Sequence, residues 1–183
     1  TQGVSSAASD VYKRQTLVGA ALGMAGAIFQ SISRNALGSP DVIGFTTGAA
    51  SGAIVQIMLF DAGPLATSLA AVAAGLGTAL LVLLLARNGH SSGGYRLVLV
   101  GIGVGASLSG LNSILLVSGN LDQAMFAQLW LAGSLNTRTW SHVLPAALGL
   151  LLIAPIALYH ARRINLLEMG DATASQLGVA VAV

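Results

Sequence analysis

Residues 64–86 read PLATSLAAVAAGLGTALLVLLLA, an unbroken run without a single charged side chain. As a helix, such a run is roughly 34 Å long at 1.5 Å per residue. That length covers a hydrocarbon core of about 30 Å. Pro64 suits the first turn, where its missing N–H has no helical partner in any case. With no polar face to present to water, the stretch reads as a membrane-spanning helix.

Working outward, the same pattern recurs between the few charges. Residues 16–33, 42–60, 97–118 and 140–159 are further candidate spans, so the fold class is an all-α, polytopic transmembrane bundle of about five spans. Pro145 and Pro155 fall inside the last of these, where membrane helices tolerate proline if neighbours re-satisfy the freed carbonyls. Residues 124–134 are too short to cross and read as an interfacial or re-entrant helix, with Trp130 near the headgroups. Composition agrees: 55% of residues are hydrophobic and only 8% are charged, against roughly a quarter charged in soluble domains. Mean hydropathy is +0.81. Residues 1–15, TQGVSSAASDVYKRQ, are polar and mixed, and too poor in apolar residues for a signal-peptide core. They read as a linker or a non-native stretch such as translated adaptor sequence, and the membrane-spanning region is taken to start at residue 16.

The charges orient the bundle. Loops alternate sides, so Arg34, Arg87, Arg96, Arg162 and Arg163 gather on one face, while Arg138, Asp61 and Asp122 fall on the other. Positive residues mark the cytoplasmic side. Loops 34–41, 88–96 and 161–171 are therefore expected inside, and 61–63 and 119–139 outside. The net charge of +2 comes from few residues, so no nucleic-acid-binding surface is expected. Cysteine is absent, which excludes disulfides, thiolate metal sites and cysteine nucleophiles.

Catalysis has little footing: no HExxH, P-loop, GxSxG or paired-carboxylate arrangement occurs. No catalytic residue, metal site or cofactor is expected. His90, His142 and His160 sit near span ends and read as interfacial polar residues. Polar residues within spans, among them Ser51, Ser107 and Ser113, are expected to serve helix–helix hydrogen bonds. Gln56 and Asn112 are the first candidates to face a polar pathway. Small residues repeat every four positions at Gly19, Gly23 and Ala27, at Gly44, Gly48 and Gly52, and at Gly101 and Gly105. Close helix packing is the preferred reading and pathway lining the lesser one. In 162–178, Gly170 should break the chain, Asp171 should cap a short helix over 172–177, and Gly178 should end it. Such a helix could dock into a partner or rest on the headgroups.

Four stretches carry a family resemblance. GAALGMAGAIFQSISRNALGSPDVIGFTTGAASGA (19–53) resembles the signature region of FecCD-type permeases, which import ferric siderophores, haem or vitamin B12 through ABC transporters. RLVLVGIGVGASLSGLNSILL (96–116) and QLWLAGSLNTRTWSHV (128–143) are similar to later stretches of those permeases. INLLEMGDATASQLGV (164–179) resembles their cytoplasmic coupling segment. The match runs in order from about residue 16 to the C-terminus. Ala36 departs from it, standing where the family usually has proline, which should loosen that turn.

The resemblance implies a vitamin B12 permease-like bundle of ten helices, of which these five would be the second to sixth, so the chain reads as a fragment. It implies a non-enzymatic transport subunit in the bacterial inner (plasma) membrane, surrounded by membrane lipid. Implied partners are cytoplasmic ABC ATPase subunits, a second permease subunit, and a periplasmic or lipid-anchored substrate-binding protein. The ATPase would meet Asn165, Leu166, Leu167, Gly170, Asp171, Ala174, Leu177 and Gly178. His90, Ser91, Ser92 and Gly93 fall where the family has a cytoplasmic gate. The GSLN stretch at 133–136 reads closer to siderophore than to vitamin B12 permeases. A secondary transporter or channel acting without an ATPase is the alternative. It usually requires buried ionisable groups or broken mid-membrane helices.

Overall fold

The computed structural model describes residues 2–36, 38–87, 93–133 and 140–178. Their helices are α1 (Gln2–Ser33), α2 (Phe45–Phe60), α3 (Pro64–Ala86), α4 (Gly93–Ser118), α5 (Leu121–Ala132), α6 (Trp140–Glu168) and α7 (Asp171–Gln176). A 3-10 turn, Pro40–Ile43, precedes α2. No strand occurs among the described residues. Among the described residues, four stretches are long and apolar enough to cross a membrane: Val11–Ser33, Pro64–Ala86, Arg96–Ser118 and Val143–Glu168.

Several boundaries differ from the sequence expectation, each for a local reason. The second span does not begin at residue 42. Gly44 takes the left-handed conformation at φ 75°, and only α2, 16 residues long, follows it. At roughly 24 Å, α2 is shorter than the hydrocarbon core. The N-terminal segment is not separated from the first span either. Helix α1 runs on through residue 15, and the Thr16 hydroxyl donates to the Tyr12 carbonyl across that point at 2.9 Å. A polar run lacking proline has nothing to stop a helix. At the other end, α6 continues past Tyr159 to Glu168 through residues expected as loop. Ala, Arg, Leu and Glu favour helix, so the arginines there mark a change of solvent and not the end of the helix.

The chain divides into two packing units: Thr1–Ser39 with Ser134–Val183, and Pro40–Gly133. In the second unit α2 is the hub, packing most extensively on α3 and also on α4 and α5. Ile54, Ile57 and Met58 of α2 join Ala127 of α5 in a buried cluster, with Leu115, Leu116, Ala124 and Trp130 packed against it. Helix α5 therefore begins three residues earlier than expected, where the Asn120 side chain accepts the Asp122 N–H at 3.2 Å. Its Trp130 lies on this cluster with Nε1 buried. The sequence reading placed that indole at the headgroups. Lipid is as apolar as these side chains, so close packing holds the cluster together more than any escape from water.

Glycine makes that packing possible. A Cβ on Gly52 would lie 2.5 Å from the Ala70 carbonyl oxygen and 2.6 Å from the Ala74 methyl, while one on Gly48 would strike the Thr78 side chain. Gly44 faces α4 instead, with the Gly101 carbonyl oxygen 3.2 Å from its Cβ position and Gly105 Cα at 3.3 Å. One four-residue repeat thus serves two neighbouring helices. The hydroxyls do less than expected. Ser51, Ser107 and Ser113 each donate to the carbonyl four residues back in their own helix, at 2.9, 2.9 and 3.0 Å. Their own helix offers an acceptor at closer reach than any neighbour.

In the first unit, α1 packs on α6, and α7 packs on α6. No residue of the most apolar window of α6 is buried. A Cβ at Gly19 or Gly23 of α1 would meet nothing within 4 Å.

Candidate functional site

The candidate coupling segment begins inside α6. Asn165 is exposed in its last turns, and Leu166 and Leu167 are half-buried. The helix closes as Met169 N–H donates to the Leu166 carbonyl and Gly170 N–H to that of Leu167, both at 3.2 Å. Gly170 then adopts φ 102° and ψ 152°, where any L side chain would be strained. Gly170, not Asp171, is the N-cap of α7, and Asp171 becomes the first helical residue. The glycine carbonyl already accepts the Ala174 N–H at 2.9 Å, which makes it the helix boundary whatever side chain follows. Gly178, at φ 85°, donates its N–H to the Ser175 carbonyl at 3.1 Å and ends the segment as expected.

Exposure sorts the segment into two faces. Met169 and Leu177 are 67% and 57% exposed, whereas Ala174 is fully buried. Ala174 therefore belongs to the inner packing of α7, and Met169 and Leu177 offer the apolar surface.

One residue of this site escaped the sequence reading except as a topological charge. Arg34 follows the last turn of α1, and its Nε donates to the Leu167 carbonyl at 2.7 Å. The bond joins the C-terminal ends of α1 and α6. A cleft of about 410 Å³ opens beside it, with Gln30, Arg34, Asn35 and Glu168 in its wall. The Arg34 backbone is itself unusual, with φ 51°. No spacing rule would pair residues 133 positions apart, although an arginine near a helix end is a general signal for carbonyl capping.

The remaining candidates stand elsewhere. His90, Ser91 and Ser92 lie outside the described residues, and Gly93 is the first residue of α4. Gln56 is half-buried, and its backbone carbonyl accepts the Asp61 and Ala62 N–H groups. Asn112 is 8% exposed, and its Oδ1 is buried without a partner among the described residues. That places Asn112 in the interior of its unit. Among the described residues no three His, Asp or Glu side chains gather to hold a metal.

Within each unit, arginine side chains reach the ends of neighbouring helices. An Arg96 guanidinium nitrogen lies 3.4 Å from the Leu85 carbonyl, which brings the start of α4 to the end of α3 near Arg87. Asp61 precedes α3 at its opposite end. In the other unit, the Arg34 bond reaches the turn that follows Arg162 and Arg163.

Known proteins are similar to this chain. The ferric enterobactin transport system permease protein FepG of Escherichia coli K12 is 51% identical over 166 residues, spanning 90% of this chain and 50% of that protein. The Fe(3+) dicitrate permease protein FecD of the same organism is 37% identical, over 90% of this chain and 51% of its own length. The achromobactin permease protein CbrC of Dickeya dadantii is 36% identical, covering 90% and 48%. Among solved structures, a chain of a metal-chelate type ABC transporter in an inward-facing conformation superposes with a TM-score of 0.82 at 31% identity. The match covers 90% of this chain and 52% of that one. This chain thus spans about half the length of the curated relatives it matches. A profile of the FecCD transport family matches residues 14–183. With several apolar helices of spanning length and this match over nearly its whole length, the chain is a multi-pass membrane protein and belongs to the FecCD transport family.

Proposed function

We propose that this chain forms part of the permease subunit of an ABC importer for ferric siderophores, with ATP hydrolysis on a separate cytoplasmic subunit. It would sit in a bacterial inner (plasma) membrane beside a second permease subunit. A periplasmic or lipid-anchored binding protein would deliver the metal chelate. The observation that carries this reading is the 51% identity to a ferric enterobactin permease, maintained across 90% of the chain. The exposed Met169 and Leu177, which flank α7 on either side, supply apolar surface for docking beyond the last span. Residues 90–93 remain the proposed gate, and Gln56 and Asn112 the proposed pathway residues. An ion-driven carrier finds less support. The buried polar side chains among the described residues are Ser51, Thr67 and Asn112, none of them ionisable.

Two measurements on the permease reconstituted with its ATPase and binding protein test this. Uptake of radiolabelled ferric siderophore should stop on ATP depletion, and persistence would overturn the reading. Cysteines at Met169 or Leu177 should cross-link to the ATPase, whereas Ala174→Cys should react far more slowly because access limits thiol chemistry. Absence of cross-links from either exposed position would remove the proposed coupling role.

A further inference from the structure

Arg34 occupies a position that ordinarily belongs to glycine. The Asn35 N–H donates to the Gln30 carbonyl at 3.2 Å, and the Arg34 N–H to that of Ser31 at 3.3 Å. These are the paired bonds of a Schellman motif closing α1, and the residue between the helix and Asn35 must be left-handed. Arginine accepts φ 51° there, a conformation that crowds its Cβ. A strained residue persists where the surrounding structure over-determines it. Here the compensating contact is the 2.7 Å bond from Nε to the Leu167 carbonyl.

That carbonyl is one of the last four of α6, which have no partner further along their own helix. A guanidinium beside it forms a charge-assisted bond and faces the negative end of the helix dipole. The same oxygen accepts the N–H of Gly170, the residue whose φ of 102° turns the chain into α7. Arg34 therefore grips the atom on which the turn into the coupling segment closes. Glu168 lines the same cleft.

We infer that Arg34 is a positioning residue that ties α1 to the coupling segment, so that displacement of that segment by the ATPase is carried into α1. The inference rests on the coupling role proposed above. Without the tether, Gly170 can hinge freely, and nucleotide-driven movement dissipates in the turn.

Arg34→Gly is the discriminating variant, because glycine relieves the backbone crowding while removing the guanidinium. In the assembled permease–ATPase complex in lipid nanodiscs, hydrogen exchange should be read across 166–178. The variant should exchange there about tenfold faster or more, as expected for losing a bond to a charged group. Exchange in α2 and α3 should match the parent. Siderophore moved per ATP hydrolysed should fall several-fold, and Arg34→Lys should restore part of it. A purely local role in the turn predicts the opposite: glycine at or above parental stability with parental exchange and parental coupling. That result overturns the proposal, as does faster exchange with unchanged coupling. Should glycine lower the yield of complex, Arg34→Gln decides by the same two readouts without added backbone freedom. If the parent complex itself shows no ATP-driven uptake, the proposed function fails, while the exchange comparison still tests the tether.

Discussion

Helices α1 and α2 carry the same small-residue repeat and use it in different ways. In α2, Gly48 and Gly52 sit where a methyl group would collide with α3, and Gly44 where it would press on α4. In α1, Gly19 and Gly23 face open space. Four-residue spacing places residues on one helix face. It says nothing about whether another helix arrives there. The α2 repeat is a contact surface within the chain, whereas the α1 repeat is a surface available to lipid or to other protein.

This difference can be broken or sharpened by adding a single methyl group at three positions. Gly52→Ala should have the largest effect, about 3 kcal/mol of destabilisation, because the obstacle is the Ala70 carbonyl oxygen and the helices must move apart. Denaturant titration of the permease in detergent would measure it. Gly48→Ala should cost nearly as much, roughly 2–3 kcal/mol, since the Thr78 Cβ, which no rotation of that side chain moves, would stand 2.6 Å away. Thr78 would then surrender its 2.8 Å bond to the Ala74 carbonyl, a change visible as a lower melting temperature. Gly23→Ala should be neutral or stabilising by less than about 1 kcal/mol, as alanine favours helix over glycine. A loss at Gly23 as large as at Gly52, measured in the complete transporter, would mean that another subunit or helix closes on α1. A neutral Gly52→Ala would contradict the packing of α2 on α3.

Much of the architecture was legible because its cause is local. Runs such as 64–86 have no polar face, and helix is one of few structures that can satisfy every backbone group in lipid. The arginines marked where apolar runs stop, because a charge is costly in the hydrocarbon core. Boundaries were less legible where charge was taken as a helix terminator. Arg162 and Arg163 interrupt hydrophobicity without interrupting helix, and α6 runs on to Glu168. Conversely, Gly44 interrupts helix without interrupting hydrophobicity, which shortens α2. In the candidate site, the breaks at Gly170 and Gly178 were readable from glycine alone. The cap was misplaced by one residue, because Asp171 is a good capping type but stands one position too late.

By itself, then, the sequence determined a helical, multi-pass membrane protein whose few charges fall mostly between its apolar runs. Its motifs also sufficed to mark a likeness to FecCD permeases. Those properties follow from per-residue energies in lipid and from order along the chain. Only the tertiary structure decided which glycine face is filled, that Ala174 turns inward while Met169 and Leu177 stand out, and that Arg34 reaches Leu167. These depend on the meeting of surfaces distant in sequence, and no local preference contains that information.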